Sequence, residues 1–137
     1  MLKTILIGLT LAATIAFSYA HDGEAVELGY APQTRNERGI KVTAALQRTS
    51  GSVQTWDIEV ALETHTKTLY DDLAKATVLV ADGKQYLPLA WEGAAPGGHH
   101  RKGLLRFKAI VPKPASVELQ IRLAGDPAPR SFKWLLK

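Results

Sequence analysis

Four histidines are the only side chains of this sequence suited to soft-metal ligation or to proton transfer near neutral pH, because cysteine is absent. His99 and His100 follow two glycines, and His65 lies between two threonines. His21 comes directly after a segment that has the features of a cleavable leader. If folding brings these positions together, they form a metal site or a ligand-binding face.

The predicted metal is Cu(II) or Zn(II), because neutral imidazole nitrogens suit these ions. Met1 is the only methionine, so a thioether or thiolate Cu(I) site and a blue-copper site are excluded. We take His65, His99 and His100 as the primary ligands and His21 as the next candidate. A chain cleaved after Ala20 would offer the free amine and the imidazole of His21 to one metal ion.

Residues 1–20 carry Lys3, an apolar run and small residues before the expected cleavage point, which is typical of a secretory signal peptide. A periplasmic or secreted protein is therefore predicted. No other stretch approaches the ~20 apolar residues that span a bilayer, so no membrane span is expected after cleavage. We divide the chain into a signal peptide (1–20), an irregular segment (21–38) and one β-sandwich domain (39–137).

The formal net charge of +4 is spread over the sequence instead of being concentrated in a patch. Nucleic acid is therefore not an expected partner. We find no nucleophile placed beside a histidine and a carboxylate, so an enzyme is not predicted either. The expected role is to bind, store or transfer a metal ion, with a periplasmic protein as a possible partner.

Apolar and polar residues alternate along most of the mature chain, which is the pattern of half-buried β-strands. The clearest case is 56–63, where Trp56 and Ile58 alternate with Asp57 and Glu59. The pair Asp82-Gly83 favours a tight hairpin turn, and 69–75 is the only helical candidate. We predict an all-β, immunoglobulin-like antiparallel sandwich of about seven strands, over 40–47, 56–63, 76–81, 84–91, 104–110, 117–123 and 132–136.

Alternating strand direction predicts which loops share an end of this sandwich. If 56–63 runs upward, the loop with His65 is at the top, and so is the loop with His99 and His100. The segment before residue 40 and the loop with Asp126 belong to the same end. Functional residues on loops at one end of a rigid sandwich are a common arrangement.

Two other interpretations remain open at this stage. Gly97 and Gly98 with Arg101 and Lys102 could form a nest of backbone N–H groups and cations for an anion, with Trp91 lining the pocket. Alternatively, the sandwich could bind another periplasmic protein through its surface and hold no metal. Asp71 and Asp72 are interpreted as caps of a short helical turn.

Two resemblances add to these predictions. A mature N-terminal His21 on a β-sandwich resembles the periplasmic copper-binding CopC-like proteins and the histidine-brace copper proteins, which implies copper at that residue. The blocks WDIEVALETH (56–65), LAWEG (89–93) and GGHHRKG (97–103) resemble a family of exported prokaryotic proteins of unassigned function. This second resemblance implies an exported β-sandwich and no particular activity.

The leader prediction has a direct test. Mass spectrometry of the exported protein should give His21 as the first residue, because Ser18 and Ala20 are small residues at the positions that the signal peptidase reads. A different first residue would remove the amine-plus-imidazole chelate, whereas the loop histidines would be unaffected.

Overall fold

The structure, a computed structural model, describes residues 26–28, 30–47 and 53–136. Within these ranges it contains ten strands and one short helix. The elements are β1 (Val26–Leu28), β2 (Gln33–Glu37), β3 (Ile40–Leu46), β4 (Thr55–Thr64), α1 (Leu73–Ala76), β5 (Thr77–Ala81), β6 (Lys84–Tyr86), β7 (Ala90–Gly93), β8 (His100–Lys108), β9 (Ser116–Ile121) and β10 (Arg130–Leu135).

The strands form two five-stranded sheets, in the orders β1-β10-β9-β5-β6 and β2-β3-β4-β8-β7. We call them the first and the second sheet. All neighbouring strands are antiparallel except β1, which runs parallel to β10. The run β3-β4-β8-β7 against β10-β9-β5 has the A-B-E-D and G-F-C strand order of immunoglobulin domains. The predicted immunoglobulin-like sandwich is therefore confirmed.

The core lies between the sheets and is built from the alternating apolar residues of the central strands. In β4, Trp56, Ile58, Val60 and Leu62 are buried, and the residues between them face outward. Phe107 from β8 and Trp134 from β10 are also buried in this core. Because every second residue of a strand points to one face, the sequence pattern identifies the buried side of central strands such as β4 and β9.

The structure has more strands than the predicted number of about seven, for two physical reasons. The segment 21–38, predicted to be irregular, contains β1 and β2, which add to the edges of the two sheets. The stretch 84–91, predicted as one strand, is divided into β6 and β7 because Leu87, Pro88 and Leu89 carry the chain from the first sheet to the second. The helix covers Leu73–Ala76 and so begins four residues after the start of the predicted helical segment 69–75.

Strand directions place four connections at one end of the sandwich, which we call the histidine pole. They are the turn 38–39 and the loops 65–72, 94–99 and 122–129. The turn 82–83 and the loop 109–115 lie at the other end, the opposite pole. The prediction that the loops of His65, His99 and Asp126 share one end is confirmed.

A buried ion pair joins the two sheets at the histidine pole. Arg130 at the start of β10 donates from Nε and Nη2 to the Asp126 carboxylate at 2.9 and 3.2 Å. The same guanidinium donates to the carbonyls of Ile40 (2.6 Å) and Glu37 (3.0 Å) across the sandwich. The side chains of Arg130 and Asp126 are 0% and 2% exposed, so each charge depends on the other for compensation.

The environment lowers the pKa of Asp126 below its usual 3.8. Burial opposes ionisation, but it is outweighed by the hydrogen bonds and charge of Arg130, with smaller contributions from the Leu123 amide and Arg38. A carboxyl group with a lowered pKa in the folded state stabilises the fold above its unfolded pKa. This stabilisation is lost as the pH falls through the lower, folded-state pKa.

We expect the Asp126→Asn variant to lose about 3 kcal/mol of unfolding free energy at pH 7, because Arg130 stays buried without its counter-charge. Urea unfolding at several pH values should also show that the unfolding free energy of the variant decreases less below pH 4 than that of the unchanged protein. Asp82→Asn, in an exposed turn, is the matched control and should retain the acid dependence. Equal behaviour of the two variants would contradict this role of the ion pair.

Candidate functional site

Backbone hydrogen bonds fix the two histidine loops to each other. The Thr64 amide donates to the His99 carbonyl and the Leu69 amide to the Gly98 carbonyl, both at 3.0 Å, and the Gly97 amide donates to the Leu69 carbonyl at 2.7 Å. Gly97 and Gly98 have φ values of +117° and +73°, which favour glycine. The two glycines therefore allow the 94–99 loop to close onto the 65–72 loop.

The buried Arg101 side chain connects the 65–72 and 94–99 loops. Its residue is 3% exposed, and its guanidinium donates to the carbonyl of Asp71 at 2.7 Å, of Leu69 at 3.5 Å and of Ala94 at 3.2 Å. Burial lowers the pKa of Arg101, and the charges of Asp71 and Asp72 partly offset this effect. The guanidinium thus donates to loop carbonyls, and a role of Arg101 in anion binding stays a prediction.

Lys102 and the Gly97 amide of the predicted anion nest also have partners. Lys102 is 69% exposed and pairs with Glu59 at 3.3 Å across the outer face of the second sheet. The Gly97 amide is used in the loop contact described above. With Arg101 buried beneath the loops, the glycine-rich segment serves to close the pole, and its cations point away from a common ligand.

Trp91 is half-buried and supports the same loops. Its ring lies 5.8 Å from the Arg101 guanidinium carbon, and its Nε1 donates to the Ala94 carbonyl at 3.0 Å. The ring also covers Gly93 and Gly103, where a Cβ would meet backbone atoms at 2.5–2.6 Å. These contacts make Trp91 a packing residue beside the pole, and its alternative role in lining a ligand pocket stays a prediction.

The two adjacent aspartates have structural partners. Asp72 is the N-cap of α1 and accepts from the Ala74 amide at 3.1 Å. Asp71 accepts from the Ala124 amide at 2.8 Å and so ties the 122–129 loop to the 65–72 loop. The capping prediction is confirmed for Asp72, and Asp71 instead joins two loops of the histidine pole.

One cluster of titratable side chains remains exposed at this pole. Glu63 lies directly opposite His100 in the β4–β8 register, and His65 follows Glu63 by two residues. The pKa of Glu63 is lowered, first by the hydrogen bond and charge of Lys41 at 2.8 Å and further by the charges of His100 and His65. Glu63, His65 and His100 therefore lie near one another, and we call them the Glu63 cluster.

His100 and His99 differ in their positions. His100 is the first residue of β8, so it is part of a strand instead of the predicted loop. His99 precedes the strand, and its carbonyl accepts from Thr64, whose side chain is buried. Because neighbouring residues of an extended chain point to opposite sides, we expect only His100 to share the side of Glu63.

An open hollow of about 290 Å³ adjoins the cluster on the outer face of the second sheet. Glu63, His100 and Lys102 line it together with Ala61. The small side chain of Ala61 leaves this space between the surrounding charged residues. A ligand held by Glu63 and His100 would therefore remain accessible from solvent.

Among the residues that the structure describes, no three His, Asp or Glu side chains are arranged to hold a metal ion. The Glu63 cluster brings together His65 and His100, and both side chains are exposed. His21 and the leader 1–20 lie outside the described residues. A metal at the loop histidines, the exported location and a non-enzymatic role thus stay predictions.

Sequence reasoning missed Glu63 as a member of the site. Its outward direction follows from alternation with the buried Leu62 and Thr64, but its partner depends on the β4–β8 register. A shift of that register by one residue would have placed His99 opposite Glu63. The only signal in the sequence was that Glu63 lies near the end of a strand, two residues before His65.

Comparison with known proteins does not assign this chain to a family. No family model, curated protein or solved structure matches the chain. The resemblances to CopC-like proteins and to an exported family stay sequence-based predictions. In the described residues, no helix is long and apolar enough to cross a membrane.

We expect Arg101→Lys to destabilise the protein by about 2–4 kcal/mol, because the single nitrogen of lysine cannot replace the planar guanidinium, whose separate nitrogens reach the carbonyls of Leu69, Asp71 and Ala94. Urea unfolding measures the loss. Hydrogen exchange should localise it, with faster exchange at the amides of Thr64, Leu69 and Gly97. Lys102→Gln, the adjacent exposed residue, should change stability by less than about 1 kcal/mol; similar effects of both variants would contradict the role of Arg101.

Proposed function

We propose that the protein is a non-catalytic binding domain that takes up Cu(II) or Zn(II) at the Glu63 cluster, with His65 and His100 as nitrogen ligands and Glu63 as oxygen ligand. The observation that carries the proposal is the direct opposition of Glu63 and His100 on neighbouring strands, with His65 close enough to influence the same carboxylate. Imidazole and carboxylate together suit these two ions.

The donor atoms would have to be assembled by the metal, since they are not arranged around a common centre beforehand. All three side chains are exposed, so their rotation meets little steric resistance. Ordering an exposed side chain costs up to roughly 2 kcal/mol of conformational entropy. A site of this kind would bind its ion reversibly and leave a coordination position open to water or to a second ligand, which fits a protein that carries or passes on a metal.

The Lys41 ammonium is the competitor of the metal for Glu63. The two groups form an ion pair at 2.8 Å, and their side chains are 46% and 47% exposed. Exposed pairs of this kind are weak, so a divalent cation can replace the ammonium group. Removal of Lys41 should therefore favour metal binding, an effect that a purely structural carboxylate would not produce.

We expect stoichiometric binding of Cu(II) or Zn(II) in calorimetric titrations of the exported protein, and at least about tenfold weaker binding by His100→Ala and His65→Ala, equivalent to ~1.4 kcal/mol or more. His99→Ala is the matched control, because strand alternation is expected to direct the adjacent imidazole away from Glu63; its affinity should change by less than about twofold. His21→Ala in the same series measures any contribution of residue 21 to the metal affinity.

Lys41→Gln provides an independent test with the opposite sign. It frees the Glu63 carboxylate and should tighten binding by about two- to fivefold, whereas Glu63→Gln should weaken it. Paramagnetic broadening by Cu(II) in NMR spectra should be strongest at residues 63, 65 and 100. Unchanged affinity in both His65→Ala and His100→Ala would refute the proposed site.

A further inference from the structure

Exposed aliphatic side chains collect at the opposite pole, away from the proposed metal site. Val53 precedes β4, Leu89 precedes β7 and Val111 follows β8. Val111 is 87% exposed and Leu89 62% exposed, values that are unusual for large apolar side chains. Three separate segments of the chain thus present apolar groups at the same end of the sandwich.

These three side chains surround an open groove of about 600 Å³. The remaining lining comes from Gln54, Thr55, Lys108 and Ala109, and none of the lining residues is acidic. The groove therefore combines an aliphatic surface with one positive charge. Such a composition disfavours a cationic ligand and favours an apolar partner that carries negative charge.

Charge pairing on the second sheet makes Lys108 distinctive. The other outward cations of its central strands have acidic partners: Lys41 pairs with Glu63, Lys102 with Glu59, and Arg106 with Asp57 and Glu92. Among the described residues, Lys108 has no ion pair with an acidic side chain, and the same holds for the exposed Lys113 in the adjoining loop.

The acidic residues near this end leave the positive charge uncompensated. Asp57 is occupied by Arg106 at 2.9 Å. Glu118 accepts hydrogen bonds from Ser131 and Gln120. Asp82, in the exposed turn 82–83, is the remaining carboxylate of the opposite pole in the described residues, and it does not line the groove.

We propose that the opposite pole docks reversibly on an anionic lipid bilayer, with Val53, Leu89 and Val111 inserted at the interface and Lys108 and Lys113 against the headgroups. Aliphatic side chains that enter the acyl boundary beside lysines on anionic headgroups are the elements of peripheral membrane binding. Three side chains cover far less than the roughly 800 Å² per partner of a stable protein interface, which favours the bilayer over a second copy of the chain.

Vesicle co-sedimentation tests the proposal with the exported protein and two lipid compositions, neutral phosphatidylcholine and phosphatidylcholine with about 30 mol % phosphatidylglycerol. We expect binding to the anionic vesicles and at least about fivefold weaker partitioning to the neutral ones. Salt should weaken the binding to anionic vesicles, because it screens the lysines.

Substitutions at the two poles provide matched variants. Val111→Glu and Leu89→Glu should each reduce partitioning by about tenfold or more, because a carboxylate replaces an inserted side chain. Tyr70→Glu introduces the same charge at the exposed Tyr70 of the histidine pole and should bind like the unchanged protein. Thermal unfolding of all variants checks that the fold is retained.

Since the sequence has no cysteine, single nitroxide labels can report the orientation. A label at Val111→Cys should become inaccessible to a water-soluble relaxation agent on vesicle binding, whereas a label at Tyr70→Cys should stay accessible. No preference for anionic vesicles, equal binding of the Glu variants, or protection at residue 70 instead of 111 would each overturn the proposal. Binding to an acidic soluble protein without vesicle binding would overturn it as well.

Discussion

The buried guanidinium of Arg101 joins the two histidine loops of the histidine pole, as that of Arg130 joins the turn 38–39 to the 122–129 loop. Arg101 cannot be left unpaired in a site that is 3% exposed, so the carbonyls of three loop residues must point toward it. Those carbonyls belong to the 65–72 and 94–99 loops, which are far apart in sequence. The closure of the two loops onto each other thus depends on Arg101, whereas the β4–β8 register places His100 opposite Glu63. Trp91 lies on the remaining side of the guanidinium.

Much of the fold could be predicted from the sequence because one physical rule dominates it. Period-two burial, as in Trp56 to Leu62, identifies a strand and its inner face without any knowledge of the partner. Strand direction then assigns each loop to an end, which placed the histidine loops together. The two N-terminal strands escaped prediction because they lie at sheet edges. The sequence of β2 is polar throughout, so burial hardly alternates along it, and the strand is defined by its pairing with β3.

The candidate site was less predictable than the fold, since it depends on register and on competition between residues. Arg101 and Lys102 are adjacent in sequence and have the same formal charge, yet one is buried beneath the loops and the other is solvated. No local pattern separates them; the alternation along β8 does, once its first residue is known to be His100. Because the start of β8 and its register with β4 were not known from the sequence, the pairing of Glu63 with His100 could not be predicted either.

The crossing from β6 to β7 has a consequence for the solubility of the domain. Edge strands expose unpaired backbone groups that can recruit a strand from another molecule. Here the two strands on this side are only three and four residues long, and Pro88, which lacks an amide proton, lies between them. The break that made the strand count exceed the prediction therefore also protects the sandwich against aggregation by strand addition, in a domain that has no disulfide bond to prevent its opening.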